Sequence, residues 1–336
     1  MIYYGIDLHK KYSYVTSMDK EANILSQQKV SNHKDSLTNF LSTIPSFSRI
    51  ALEATCPQDP NSDNWQFFYE LSEAFGLEVS LAHPLKTRAI AEAKVKTDKV
   101  DSTILAHLLR TNLLPKSYIP DQKTRDLKEL LRYRASLVKL RVQVKNKIHS
   151  ILLKNGISSP YSDTFGKGGI NFLKKLSLRD CFCIPLEGYL RLLELFSKEI
   201  KRITTILEKL VKKNPQALLL TVLPGIGYYS AWLVVAEIGN IHRFPDYRHL
   251  CSYAGLVPSV HSSAGHVKLG HISKQGSRWL RWILVEAALQ AGRSKTPLGS
   301  YYQRIAKRKG TKIARISLAR QMLRKIYFML KYGEDQ

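Results

Sequence analysis

Ile2, Tyr4, Ile6 and Leu8 recur at every second position from the start of the chain, and only an extended strand places such a set on one face. The acid within that strand, Asp7, falls on the opposite face. Tyr12 to Ser17 forms a second strand, the polar run Asp19-Lys20-Glu21 turns the chain, and Asn23 to Val30 supplies a third. Asn32 to Leu41 then takes a helical period, with Asn32 as its cap. A short strand, Arg49 to Leu52, runs into Glu53. Trp65 to Phe75 reads as a helix, Glu78 to Ala82 as a fifth strand, and Pro84 opens one long helical stretch ending near Leu114.

Three strands, helix, strand, helix, strand, helix is the element order of a ribonuclease-H-like domain, an α/β fold on a mixed sheet. Four acids give that order chemical content. Asp7 lies mid-strand, Glu53 ends the fourth strand, and Asp98 and Asp101 are spaced to share one helix face. First and fourth strands are neighbours in such a sheet, and the last helix packs near their ends, so all four carboxylates can converge. Crowded carboxylates raise one another's pKa unless a divalent cation neutralises them. Mg²⁺ is the expected ion, bound through a few carboxylates plus substrate phosphate oxygens. Two such ions about 3.5–4 Å apart would clamp both oxygens of an in-line phosphoryl displacement. Taken alone, Asp98 and Asp101 could equally be a solvated helix face.

Charge narrows the partner class. Lys and Arg number 52 against 27 Asp and Glu over 336 residues, a net +25. A surface that basic repels itself unless it meets a polyanion, either nucleic acid or an anionic membrane. No stretch approaches the roughly 20 apolar residues of a bilayer span. Met-Ile-Tyr-Tyr-Gly-Ile-Asp carries neither the basic leader nor the apolar core of a signal peptide. Four cysteines, Cys56, Cys181, Cys183 and Cys251, are too few and too scattered for a disulfide scaffold. A soluble, cytoplasmic, nucleic-acid-binding protein with no membrane partner is expected.

Beyond Pro120 the pattern is helical. Asp121 to Lys154 sets Leu131, Val144, Ile148 and Ile151 on one face, with Arg132, Arg141 and Lys145 among the cations on the other. That charged face is expected to track phosphates, the alternative being a solvated surface. Gly166-Lys167-Gly168-Gly169 lacks the spacing of a phosphate-binding loop and is read as a flexible joint. Leu186 to Lys213 resumes the helical period, and the pair reads as an antiparallel or intermolecular coiled coil. From Pro215 the chain is helical at both ends around a loop from about Gly255 to Gly276. In Leu223-Pro224-Gly225-Ile226-Gly227, similar to a helix-hairpin-helix turn, Gly225 and Gly227 let the backbone approach a phosphate. Ser262 and Ser263 lie in the loop ahead of Lys268, His271, Lys274, Arg278 and Arg281. A serine there could attack a phosphodiester while the cations stabilise the pentavalent transition state. His261, His266 and His271 lack cysteine partners at zinc spacing. Three domains are expected: 1–118 α/β, 119–214 helical coiled coil, 215–336 mostly helical.

Gly5-Ile6-Asp7, Glu53-Ala54-Thr55, Lys96-Thr97-Asp98-Lys99-Val100-Asp101, Leu223-Pro224-Gly225-Ile226-Gly227, Tyr253-Ala254-Gly255-Leu256-Val257-Pro258 and Ser262-Ser263-Ala264-Gly265 occur in this order, before Gln275-Gly276-Ser277-Arg278-Trp279-Leu280-Arg281. As an ordered set they resemble the DEDD-type insertion-sequence transposases, the group that includes Piv-like DNA invertases. The resemblance implies a RuvC-like N-terminal domain holding one or two Mg²⁺ ions through Asp7, Glu53, Asp98 and Asp101. It also implies a coiled-coil segment for assembly into a dimer or tetramer. The C-terminal transposase domain would supply a serine nucleophile, Ser263 with Ser262 second. It further implies a structured non-coding guide RNA beside donor and target DNA. Two positions depart from the family pattern: Cys56 stands where Gly usually follows Glu-Ala-Thr, and Ala264 replaces a glycine of the serine motif. Two other functions fit parts of the sequence: a Holliday-junction-resolvase-like nuclease cutting with water, and a non-catalytic nucleic-acid-binding protein on the same fold.

Overall fold

β1 (Tyr3–Leu8) is buried along its whole length, and a strand without a wet face belongs at the centre of a sheet. The computed structural model describes residues 1–53, 64–91, 97–263 and 266–333, with the backbone alone for Asn64, 261–263 and 266–269. Its N-terminal sheet runs β3-β2-β1-β4-β5. β2 (Tyr12–Met18) and β3 (Ile24–Ser31) form an antiparallel meander with β1, while β4 (Arg49–Glu53) and β5 (Glu78–Ala82) continue parallel to it. This is the mixed sheet that the sequence predicts.

The alternation along β1 sorts its two faces. Tyr4, Ile6 and Leu8 join Ile50, Leu52 and Leu81 in a core roofed by α1 (Lys34–Ser42) and α2 (Asn64–Ala74). Tyr3 and Ala51 face the other way, against Leu105, Ala106 and Leu109 of α4 (Asp98–Arg110). Gly5 lies on this second side. A Cβ there would collide with the Ser102 carbonyl oxygen and the Ala106 amide nitrogen, so α4 packs directly on strand backbone. The Thr16 and Ser102 hydroxyls, 2.7 Å apart, satisfy each other inside the same contact.

Two local expectations change. The single helix expected from Pro84 is divided into α3 (Pro84–Ile90) and α4. Ala91 leaves helical geometry at φ −135° and ψ 79°, and Thr97 is extended, its hydroxyl accepting from the Val100 amide at 3.3 Å. A threonine that caps from outside the helix starts a new one at Asp98. Residues 92–96 and the insert at 54–63, Cys56 included, lie outside the described residues. Asn32 does not cap α1, whose N-cap is His33. Its side chain instead donates to the His9 carbonyl at 2.6 Å and accepts from Ser13 Oγ at 2.6 Å.

The chain divides into two compact units, Met1–Ile119 and Pro120–Gln336. In the second, α5 (Gln122–Lys154) and α7 (Asp180–Val211) pack antiparallel. Leu131 meets Ile203 and Leu207 near one end, and Ile148 joins Leu186 and Leu193 near the other. Gly166 to Gly169 is no joint: it opens α6 (Lys167–Lys174), where a Cβ at Gly169 would strike the Thr164 carbonyl. α7 starts ahead of the expected Leu186 and carries Pro185 near its N-terminal end, where a proline forfeits few helical bonds.

α8 (Pro215–Leu220), α9 (Tyr228–Ile238), the 3₁₀ turn Ile241–Arg243, α10 (Tyr247–Tyr253), α11 (Arg278–Ala291), α12 (Pro297–Lys309) and α13 (Thr311–Tyr332) surround an apolar core centred on α9 and α13. The expected loop between α10 and α11 holds an antiparallel hairpin, β6 (Pro258–Ser263) and β7 (His266–Ile272). Val260, Val267 and Leu269 supply an apolar pattern that the surrounding serines, histidines and glycines obscure.

Gly5→Ala is expected to lower the stability of the protein by about 1–3 kcal/mol, the usual range for overpacking a tight contact. The denaturant midpoint of a transition followed by Trp65 fluorescence checks it, and an unchanged midpoint would refute the direct packing of α4 on β1.

Candidate active site

Parallel pairing of β1 with β4 sets Asp7 opposite Glu53, so two acids stand side by side at the ends of adjacent central strands. Asp7 is buried and Glu53 half-buried. α4 delivers Asp98 and Asp101 in its first turn, where the positive end of a helix favours carboxylates. His9 brings the strand and helix acids together: its Nε2 lies 3.1 Å from Asp7 Oδ2 and 3.2 Å from Asp98 Oδ1. The Tyr12 hydroxyl donates to the other Asp98 oxygen at 3.0 Å.

Burial pushes the Asp7 carboxyl above its ordinary value; His9 opposes the rise, and the charges of Asp101 and Asp98 add to it. Asp98 ends on the other side. Partial burial works against its charge, yet the Tyr12 hydroxyl and the His9 ring hold it below the ordinary carboxylate value. Two acids a few ångströms apart are thus driven in opposite directions, one by desolvation and one by donors. The ligand atoms of Asp7, His9 and Asp98 all lie within 4.8 Å of one another. Two carboxylates and an imidazole in that volume suit a divalent cation, whose charge would remove the repulsion that Asp7 feels.

His9 went unrecognised in the sequence. The signal was its position two residues after Asp7, because a strand returns to the same face at that interval. Its backbone is fixed from two sides: its amide donates to the Tyr12 carbonyl at 2.9 Å and its own carbonyl accepts from Asn32.

In the second unit Ser262 and Ser263 lie on β6, opposite Val267 and His266 respectively. The expected serine loop is therefore a paired ladder up to Ser263. Ala264 and Gly265 fall outside the described residues, and the side chains of Lys268, His261 and His266 are not described. The root of the hairpin is tightly held. The amides of Ser273, Lys274 and Ser277 donate to the carbonyls of Val257, Gly255 and Tyr253 at 2.8, 3.3 and 2.8 Å. Gly276, at φ +81°, abuts the Tyr253 carbonyl so closely that no side chain fits.

Behind that root sits Glu237 of α9, only 3% exposed. Its carboxylate accepts from Ser277 Oγ at 2.9 Å and from Arg132 Nη2 at 3.3 Å, with Lys128 Nζ at 4.0 Å. The Tyr253 hydroxyl donates to its carbonyl oxygen at 3.2 Å. Sequence reading missed this residue too, although an acid inside the apolar run from Trp232 to Ile238 demands a distant partner.

The candidate phosphate contacts separate accordingly. Lys274 and Arg278 are exposed beside the hairpin root. Arg132 is engaged by Glu237, and Arg281 donates to the Ala254 carbonyl at 3.0 Å. Arg141 and Lys145 line a cleft with Phe165 and Lys174, the Lys145 ammonium lying 4.6 Å from the Phe165 ring centre. Gly225, at φ +83°, is pressed against the Ala287 carbonyl of α11, so its missing Cβ serves helix packing. Gly227 is the N-cap of α9, with open space around it.

Asp7→Asn is expected to raise the melting temperature of metal-free protein. The native acid has a raised pKa, so ionising it opposes folding above that value, and the penalty fades as pH falls towards the unfolded value near 4. The gap between variant and wild type should therefore be widest at neutral pH and close near pH 4; a variant less stable than wild type at pH 7 would refute it. Glu237→Ala is expected to cost roughly 1–3 kcal/mol by taking this acceptor from the half-buried Arg132 and Lys128 and from the Ser277 hydroxyl. Adding Arg132→Met should recover part of that loss in denaturant unfolding, and strictly additive losses would show that the two residues are not coupled.

Comparison with known families bears on both units. A family model for DEDD transposases of the IS110 type matches residues 4–155, the range holding Asp7, Glu53, Asp98 and Asp101. A second, described as Transposase IS116/IS110/IS902 family, matches residues 217–303, which contain the hairpin and Glu237. The transposase for insertion sequence element IS1328 of Yersinia enterocolitica is 28% identical over 299 residues, covering 84% of this chain and 82% of that protein. The transposase for insertion sequence element IS1111A of Coxiella burnetii is 25% identical over 350 residues, covering 98% of this chain and 90% of that one. A putative transposase of Sinorhizobium fredii, y4pF/y4sB, is 26% identical and covers 98% of this chain and 84% of its own. With both models falling on the two candidate sites, the chain belongs to the IS116/IS110/IS902 family of transposases.

Proposed function

We propose that this transposase of an insertion sequence cuts and exchanges DNA strands through a seryl–DNA intermediate, with a carboxylate-bound metal site activating or positioning the strand. The observation that carries the metal half is the gathering of Asp7, His9 and Asp98 donor atoms within 4.8 Å, with Glu53 in register beside Asp7. Asp7, Glu53, Asp98 and Asp101 would hold the ion, Mg²⁺ in this proposal, and one or two such ions would neutralise charge developing on phosphate oxygens. Residues 1–118 form the RuvC-like catalytic domain, 119–214 the coiled-coil assembly segment and 215–336 the serine-bearing transposase domain.

Ser263 is the proposed nucleophile and Ser262 the alternative. The serine oxygen bonds to phosphorus, the P–O bond to the departing strand breaks, and the serine proton is lost as the freed strand oxygen becomes a hydroxyl. Attack by the hydroxyl of another strand reverses the step and restores the serine. Lys274 and Arg278, exposed beside the hairpin root, supply charge for the pentavalent transition state. Lys268 and Arg281 belong to the same proposed phosphate contacts. So do Gly225, Gly227, Arg132, Arg141 and Lys145, although Gly225, Arg132 and Arg281 also have structural partners.

The net charge of +25 is matched by a structured guide RNA as well as DNA, and strand exchange calls for a dimer or tetramer. We place the protein in the cytoplasm; among the described residues, no helix is long and apolar enough to cross a membrane.

The test mixes purified protein, co-purifying RNA and labelled element-end DNA with Mg²⁺. A denaturant-resistant protein–DNA adduct is expected, lost in both Ser263→Ala and Asp98→Ala. Free cleaved ends without an adduct, surviving Ser263→Ala, would instead identify a metal-dependent nuclease resembling Holliday-junction resolvases.

A further inference from the structure

We propose that His9 is a nitrogen ligand of the metal site, and that it biases the site towards Mn²⁺ over Mg²⁺; this rests on the metal assignment above. The separations are those of neighbouring ligands on one ion. Bonds of about 2.1–2.2 Å at right angles put adjacent donor atoms about 3.0–3.1 Å apart. His9 Nε2 stands 3.1 Å from Asp7 Oδ2 and 3.2 Å from Asp98 Oδ1. Two of the three separations are thus those of adjacent ligands on an octahedral ion, and all three donors lie within 4.8 Å of one another.

The ring is held for that task. Tyr12 packs on it with ring centres 4.8 Å apart and planes at 41°, while its hydroxyl occupies Asp98 Oδ2 and leaves Oδ1 on the His9 side. Asn32 and the Tyr12 carbonyl fix the His9 backbone. Tyr12 thus orients two of the three donors at once, and such outer partners commonly govern metal affinity.

Chemistry then decides the ion. Mg²⁺ takes oxygen ligands in near-ideal octahedra and usually keeps several waters, whereas imidazole nitrogen suits first-row transition ions. Mn²⁺ accepts carboxylate oxygen readily and, unlike Mg²⁺, gains from a nitrogen donor. A site made only of Asp7, Glu53, Asp98 and Asp101 would lack that bias.

The experiment adds Mn²⁺ to the full-length protein and records electron spin echo modulation from ligand nitrogen, with Mn²⁺ and Mg²⁺ affinities measured by competition. Wild type should show imidazole ¹⁴N coupling. His9→Ala should lose the coupling and weaken Mn²⁺ by at least about tenfold, the lower end of what loss of even an outer partner costs, while Mg²⁺ shifts far less. Labelling wild type with ¹⁵N-histidine asks the same question without a variant, and the modulation should change frequency. Bound Mn²⁺ without nitrogen coupling, or an unchanged Mn²⁺ to Mg²⁺ ratio in His9→Ala, would overturn the inference and leave the carboxylate site standing. Mn²⁺ binding that survives both Asp7→Asn and Asp98→Asn would instead overturn the metal site itself.

Discussion

A buried carboxylate facing two more acids is the constraint around which the N-terminal unit is arranged. Asp7 cannot sit in β1 without desolvation cost, and its neighbours on α4 add repulsion to that cost. Several features of the unit keep these groups in place despite it. Gly5 lets α4 rest on strand backbone, Thr97 starts that helix one residue before the first acid, and the β1–β4 register puts Glu53 beside Asp7. Tyr12 and His9 then meet the carboxylates, and Asn32 holds the His9 backbone. A fold that merely wanted stability would place none of these acids here; the local rule is broken where function is expected.

The second unit treats charge differently. Glu237 gathers Arg132, Lys128 and Ser277 into a partly desolvated cluster behind the hairpin root, so some of the chain's cations are internal structure. Lys274 and Arg278 remain outside. A basic sequence therefore overstates the surface available to a polyanion. Arg132 and Arg281, equally basic in a residue count, are already bonded to protein oxygens.

The strands of the sheet and the places of the four acids on β1, β4 and α4 were legible because period-2 alternation and acid placement are local signals. What was not legible depends on distant partners. Asn32 looks like any helix cap until its amide is seen to be occupied at both ends, Oδ1 accepting from Ser13 and Nδ2 donating to the His9 carbonyl. Thr97 sits in a stretch with good helical periodicity, and only its extended backbone reveals that α3 and α4 are separate. The β6–β7 hairpin hid behind its serines, glycines and histidines, whose loop preference outweighed three apolar residues. At Gly225 the phosphate-turn pattern is visible, but the sequence cannot show that α11 also lies against it.

The separation of 105 residues between Arg132 and Glu237 has a consequence for biosynthesis. The first unit holds the strands and helices of its core within residues 1–119, so it can close while the ribosome is still working. α5 emerges next, and α7 can cover its apolar face before α9 is made. Arg132 waits longer for its acid: at about 5–20 residues per second, roughly 5–20 s. Until Glu237 arrives, that guanidinium would stay in water, and only then be drawn into the cluster behind the hairpin.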